Sequence, residues 1–155
     1  VYDFHDLIGP KSVLADVSAS TRKGLFAHLG TVAGPLCALD ARVVADLLAD
    51  RERLGSTAFG GGIAIPHIRV ETLDRVVAVF LRLARPLDFG AVDDLPVDLV
   101  FALFSPVHAG SEHLKALARV SRSLRDAAFR AKLRGAGSSD ALYALLSGVE
   151  ARDAA

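Results

Sequence analysis

Apolar positions recur at two different spacings along this chain, and the change of spacing divides it into elements. Behind Thr21, which is placed to cap a helix, Leu25, Phe26 and Leu29 share one face of a segment running from Arg22 to Val32. Gly34 and Pro35 then predict its end. Val43, Val44, Leu47 and Leu48 follow Asp40 at helical spacing and predict a second capped helix. It carries Arg51 and Arg53 in its last turns, where cations suit the helix dipole, and Gly55 predicts its stop. The spacing then changes. Ile63, Ala64 and Ile65 read as a short buried strand ended by Pro66. Arg75–Ala84 (RVVAVFLRLA) and Val97–Ser105 (VDLVFALFS) are nearly continuous apolar runs, the pattern of strands covered on both faces. The segment RPLDFGAVDDLP between them is punctuated by Pro86, Gly90 and Pro96 and reads as a loop.

Helical spacing returns at the C-terminal end. Ser111 is the expected N-cap of a helix from Glu112 to about Asp126, with Leu114, Leu117, Ala118, Ser121 and Leu124 inward. A short helix over Ala127–Leu133 ends at Gly135 and Gly137. Ser139 then caps a last helix with Leu142, Leu145 and Leu146 inward. Residues 1–20 read as an irregular lead-in with an extended piece at Val13 and Leu14, and the EARDAA tail is expected to fray. Residues 1–150 are expected to form one domain, with 151–155 left as tail. The order helix, strand, helix predicts an α/β fold, a three-layer domain with a mostly buried sheet.

Composition narrows the function classes. The 155 residues suffice for one domain with a full core, and a hydrophobic fraction of 52% with 23% charged residues predicts a folded chain. Lys plus Arg equals Asp plus Glu at 18 each, so the broad positive footprint of a nucleic-acid binder is missing. The single cysteine, Cys37, excludes an internal disulfide; it sits in an apolar segment as a small buried hydrophobe would, and a reducing compartment is expected. The longest apolar run is about six residues, Val76–Leu81, far short of the roughly 18 of a membrane span. Asp3, His5 and Asp6 at the start, with no apolar run behind them, do not read as a signal peptide, and the chain begins at Val1 as a trimmed one would. A cytoplasmic location is expected.

The candidate chemistry gathers in residues 55–67, GSTAFGGGIAIPH. A histidine behind a proline is usually a turn residue. His67, however, follows a short buried strand, where the ligands of α/β folds commonly bind. Ser56 and Thr57 supply hydroxyls, Gly60–Gly62 allow close backbone approach, and Arg51, Arg53 and Arg69 supply cations nearby. A nucleophilic nitrogen, N–H and O–H donors and guanidinium groups suit a phosphoryl group. His113, in the first turn of the Ser111 helix, is where the dipole favours an anion and disfavours an extra ring proton. His108 in the adjoining loop is a weaker rival, and His5 and His28 have no supporting context. Other chemistries are poorly served. Ile65 occupies the last glycine position of G-x-G-x-x-G, and neither G-x-x-x-x-G-K-[ST] nor G-x-S-x-G occurs. His108 and His113 are spaced wrongly for a zinc motif, and Asp93–Asp94 read as a solvated turn.

GSTAFGGGIAIPH, with RER just before it, resembles the active-site segment of the type-2 IIA domains of the bacterial phosphoenolpyruvate-dependent phosphotransferase system. That family comprises the fructose/mannitol IIA domains and the nitrogen-related IIA protein. The resemblance continues through PLDFGAVDDLPVDLVFALFSP and SEHLKALARVSRSLRD, reaches SSDALYALL, and includes the lead-in LIGPKSVLADVSAS. It implies an α/β sandwich with a mixed sheet between helices. By resemblance, His67 is the phosphoryl acceptor, at Nε2; His113 assists; Arg51 meets the phosphoryl group; Ser56 and Thr57 are the loop's hydroxyl pair. Three positions depart from the family pattern: Ala58–Phe59 for Gly-Ile, Gly61 for Asn, and Ile68–Arg69 for a small residue plus Lys.

The role implied is that of a phosphocarrier. An HPr-type phosphohistidine protein docks on an apolar rim at Phe59 and Ile68 and passes its phosphoryl group to neutral His67. No metal or other cofactor is expected, because the group moves between two nitrogens stabilised by protein donors. Sugar-specific IIA domains are often fused to a IIB or membrane domain, and neither is found here, which points to the nitrogen-related regulatory branch. A sugar-specific subunit feeding a IIB partner is the alternative within the family. A non-phosphorylated interaction module on the same fold is the alternative outside it. No nucleic-acid partner and no membrane insertion are expected.

Overall fold

The computed structural model describes residues 2–149; residues 1 and 150–155, which include the tail expected to fray, lie outside the described residues. The lead-in is partly regular: a 3-10 turn at Pro10–Ser12 feeds strand β1 (Val13–Val17). Helices α1 (Arg22–Cys37) and α2 (Ala41–Arg53) follow, then three short strands, β2 (Ala58–Gly60), β3 (Ile63–Ala64) and β4 (His67–Val70). Two long strands, β5 (Val77–Leu87) and β6 (Val97–Pro106), precede helices α3 (Ser111–Arg125), α4 (Ala127–Gly135) and α5 (Ser139–Leu146).

The six-stranded sheet runs β1-β5-β6-β3-β2, with β4 continuing the line of β3 along the same edge of β6. It is mixed: β5 and β6 are antiparallel, while β3 and β4 both run parallel to β6. Alternation along β6 sends Val100, Ala102 and Phe104 to the face covered by α1 and α2. Leu99, Phe101 and Leu103 face α3, α4 and α5. Both faces are dry, which is why the two long strands lack a polar alternation. The result is the expected three-layer α/β sandwich, a mixed β-sheet flanked by helices on both faces.

Several local expectations give way to the tertiary structure. Helix α1 does not break at Gly34–Pro35 but runs on to Cys37. Pro35 falls in the last turn, where its ring costs a single backbone bond, and Ala38 (φ 54°) closes the helix in the left-handed region with its N–H on the Gly34 carbonyl. The glycines of this helix serve packing: a Cβ on Gly30 would stand 2.2 Å from the Ala41 carbonyl oxygen, so α2 can start there only over a bare backbone. Cys37 is fully buried, and burial pushes its thiol up to about 11, in keeping with a small hydrophobe. Pro66 ends β3, yet the chain resumes at once as β4. Strand β5 reaches Leu87, taking in Arg85 and Pro86 from the expected loop.

The C-terminal helices are shifted in phase and cap. Gly110 (φ 52°), not Ser111, is the N-cap of α3. The buried face of α3 is His113, Ala116, Val120, Ser123 and Leu124, whereas Leu114, expected inside, is 64% exposed. A one-residue error in phase turns a helix by about 100°. Likewise Ser138 caps α5 through a bond from Ala141 N, while Ser139 Oγ accepts from Ala15 N at 2.9 Å and ties α5 to β1. Leu142 and Leu146 are buried as expected.

Candidate functional site

The site is set by which face of the sheet each residue of β4 takes. Leu103 N donates to the Pro66 carbonyl at 2.8 Å, and the register pairs His67 with Leu103 and Arg69 with Ser105. Ile68 and Val70 therefore enter the core under α1 and α2. His67 and Arg69 take the opposite face, beneath the start of α3. Ile68 is thus a core residue, 7% exposed, and not part of an apolar rim.

His67 is half-buried, and its Nδ1 lies 2.8 Å from the Ile65 carbonyl oxygen. A carbonyl only accepts, so in the neutral ring Nδ1 carries the proton. Nε2 keeps its lone pair, and no hydrogen bond occupies it among the described residues. The ring of His113, third residue of α3, stands 5.6 Å away between centroids at 47°. His113 is buried, with Nδ1 2.6 Å from the hydroxyl of fully buried Ser105. Burial, then the charges of Arg69 and His67, hold its imidazole below the ordinary 6.5, so the ring is neutral at neutral pH. The Arg69 guanidinium reaches over the loop after β6, with Nη1 3.4 Å from the Pro106 carbonyl and 3.5 Å from that of Val107. A nucleophilic nitrogen, a neutral imidazole and an exposed cation thus share one cleft.

Segment 51–57 adjoins this cleft, and its two hydroxyls and one N–H of Arg51 bond within the segment's own surroundings. Arg51 Nη1 donates to the Gly55 carbonyl at 3.0 Å. Ser56 Oγ donates to the Phe89 carbonyl at 2.8 Å and accepts from Ala58 N. The buried carboxylate of Glu52 accepts from Thr57 N at 2.9 Å and from Thr57 Oγ1 at 2.7 Å. Each hydroxyl has one proton, and both are used in holding this loop. Thr57 is nonetheless a direct neighbour of the histidine segment, since its carbonyl accepts from Ile65 N at 3.0 Å.

The three glycines form the β2–β3 turn, all with positive φ, and the turn binds itself. Asp93 accepts from Gly61 N at 3.0 Å, the bond that does most to hold its carboxyl below the usual range. Arg134 donates to the Gly61 carbonyl at 2.6 Å and grips Asp98 with two further bonds of 2.9 and 2.8 Å. A Cβ on Gly62 (φ +80°) would lie 2.5 Å from Arg134 Nη2 and 2.9 Å from Asp98 Oδ1. The close approach expected of these glycines is to the protein's own side chains. Phe59, half-exposed beside the turn, lies under the Arg125 guanidinium at 5.9 Å.

Of the residues expected at the site, His67 and His113 come together; Arg51, Ser56 and Thr57 make their bonds within the neighbouring loop. His108 is exposed in the loop before α3. Two contributors lay outside the expectation. Ser105 is in phase with Phe101 and Leu103 on the α3 face of β6, a polar residue closing an apolar row. Glu52 continues the buried row Val44, Leu48 at a step of four. Both positions were legible from spacing.

Comparison with known proteins gives one answer. A family model for the phosphoenolpyruvate-dependent sugar phosphotransferase system, EIIA 2, matches residues 6–149. A nitrogen regulatory protein of Bradyrhizobium diazoefficiens is 42% identical over 142 residues, covering 92% of this chain and 93% of that one. The structure of nitrogen regulatory protein IIA-Ntr from Neisseria meningitidis superposes with a TM-score of 0.86 at 30% identity, covering 91% of this chain and 97% of that one. The mannitol IIA of Escherichia coli, solved in complex with phosphorylated mannitol IIB, shares the fold at a TM-score of 0.74 and 24% identity, covering 91% of this chain and 97% of that one. With its sheet and nearly its whole length matched, the chain belongs to the type-2 EIIA family of the phosphotransferase system.

Proposed function

We propose that this protein is a phosphocarrier that accepts a phosphoryl group on Nε2 of His67 from an HPr-type phosphohistidine protein and serves as a regulatory IIA of the nitrogen-related branch. The observation that carries the reading is the bond from His67 Nδ1 to the Ile65 carbonyl, which leaves the Nε2 lone pair free beside neutral His113. In the step, the Nε2 lone pair forms a new P–N bond while the donor's P–N bond breaks and its electron pair returns to the donor imidazole. The His67 ring gains positive charge as the bond forms, and the Nδ1–H to carbonyl bond strengthens with it. Catalysis is positioning and charge neutralisation. Arg69, whose charge acts on His113, supplies a cation, and His113 a hydrogen bond to an equatorial oxygen. Ser56 and Thr57 keep the adjoining loop in shape and reach the phosphoryl group only by exchanging their present bonds, whereas Arg51, with one N–H on the Gly55 carbonyl, keeps four further donors for it. The exposed apolar side chains Val107 and Leu114, beside the histidine pair, together with Phe59, offer the donor a docking rim.

The regulatory branch is favoured by the names of the relatives at 42% and 30% identity. The likeness to a IIA solved with phosphorylated IIB supports a second reading, a sugar-specific subunit that passes the group onward. No helix among the described residues is long and apolar enough to cross a membrane, so under that reading the membrane domain is a separate partner or segment.

The test is intact mass after incubation with phosphoenolpyruvate, enzyme I and an HPr-type carrier. A single acid-labile phosphoryl adduct is expected, absent from His67→Ala and slower to appear in His113→Ala. No adduct with cognate donors, or a normal one on His67→Ala, overturns the proposal in favour of a non-phosphorylated interaction module. Transfer from the labelled protein to a sugar-specific IIB would replace the regulatory reading with the second one.

A further inference from the structure

Ser105 has no part in the proposed transfer so far, yet it is fully buried and its hydroxyl meets one side-chain partner, His113 Nδ1, at 2.6 Å. Two arrangements satisfy that bond. If Nδ1–H donates, the serine oxygen accepts and its own proton is left without an acceptor among the described residues. If the serine donates, Nδ1 accepts and the Nε2–H of the ring falls on the side that solvent reaches, so no fully buried donor is stranded. A stranded buried donor is the costlier outcome. We infer that Ser105 sets the tautomer of His113, donating its hydroxyl proton to Nδ1 so that the ring presents Nε2–H to the phosphoryl group carried by His67. Ser105 is then a positioning residue for the transfer.

The two facing histidines thereby have opposite tautomers, each fixed from behind. The Ile65 carbonyl, an obligate acceptor, puts the proton of His67 on Nδ1 and leaves Nε2 to attack. The Ser105 hydroxyl takes the Nδ1 lone pair of His113 and leaves Nε2–H to donate. Two carbonyls behind the rings would have given two lone pairs facing one anion; two hydroxyls would have removed the nucleophile. The register that pairs Arg69 with Ser105 places the cation on the strand position beside this serine. The groups facing His113 are Arg69 and His67, and with burial they keep the ring neutral, the only state in which a tautomer is defined.

The inference rests on the phosphocarrier reading for its purpose, but its test does not need phosphorylation. Long-range proton–nitrogen correlation spectra of the free protein, at about pH 8, well above the ordinary imidazole value, assign the tautomer of each histidine. His113 is expected as Nε2–H and His67 as Nδ1–H. In Ser105→Ala the His113 signals should move toward a tautomer mixture, and transfer should slow by roughly 3- to 10-fold, about the weight of one hydrogen bond. Ser105→Thr, which keeps the hydroxyl, should restore both. A wild-type His113 found as Nδ1–H overturns the inference without any variant, and so does a folded Ser105→Ala whose His113 keeps a pure Nε2–H signal. Correct tautomers in a protein that takes no phosphoryl group would sink the phosphocarrier reading and leave the tautomer assignment standing.

Discussion

The glycine turn and His67, the centre of the histidine cleft, lie within residues 60–67, and the fold treats them in opposite ways. At the turn, the groups that would serve an anion are spent internally. The Gly61 amide goes to Asp93, its carbonyl to Arg134, and Arg134 also holds Asp98. At the cleft, the supporting groups are fixed just as firmly, but the Nε2 lone pair of His67 is left unspent. A cation, a carboxylate and a bare amide are therefore not evidence of a ligand site until their partners are counted. The difference between the regions is one unsatisfied, accessible atom with its back side anchored.

The sharpest way to break this comparison is a reciprocal pair of variants. Gly62→Ala forces a side chain at φ +80° into the Arg134–Asp98 pair. Backbone strain alone should cost about 1–3 kcal/mol, and the displaced ion pair adds to it. Denaturant unfolding should show that loss, while the folded fraction still accepts phosphoryl groups at His67. His67→Ala should do the reverse, with no labelling and a nearly unchanged unfolding midpoint. If Gly62→Ala, still folded, loses labelling, the turn is part of the site after all.

Arg134→Ala is the milder version. It removes the two bonds to Asp98 and the bond to the Gly61 carbonyl without adding an atom. The side chain is 38% exposed, so solvent screening reduces the effect to about 1 kcal/mol. The unfolding midpoint should fall and the transfer rate should hold. A rate loss larger than the stability loss would show that the turn's rigidity is transmitted to β3 and on to His67.

How much of this was legible in the sequence follows the same division. The sheet was legible because β5 and β6 are apolar on both faces, and His67 because it follows a short buried strand and a proline. The partners of the glycines were not, since Asp93 and Arg134 stand 32 and 73 residues away from Gly61 and only the folded chain brings them there. The phase of α3 was misread because Leu114 has the more apolar side chain, whereas His113 is turned inward by its bond to Ser105. Ser56 and Thr57 looked like free donors because their acceptors, the Phe89 carbonyl and the Glu52 carboxylate, lie outside residues 55–67. Local spacing identified most of the elements and singled out His67 as the candidate; it could not say which polar atoms were already taken.

The smallest effect expected is a pH dependence of stability that belongs to the cleft alone. Burial, Arg69 and His67 hold His113 below its ordinary 6.5 in the folded protein. Above 6.5 neither state binds the proton and the group contributes nothing. As pH falls through 6.5, the unfolded chain takes up a proton that the folded chain refuses, so stability declines until the lower folded value is reached, then levels off. The carboxylates act in a separate window. Asp6, hydrogen-bonded by Arg119, Asp93, held by the Gly61 amide, and Asp126, bonded to Tyr2, all lie below the ordinary 3.8, so their stabilisation is lost only as pH falls below that value. Urea unfolding between about pH 8 and about pH 5 isolates the histidine component. Wild type should lose stability across that range, and His113→Gln should lose less. An equal slope in the two proteins would mean that His113 titrates as freely as a surface histidine, and the cleft would then lack the neutral imidazole on which its contrast with the turn depends.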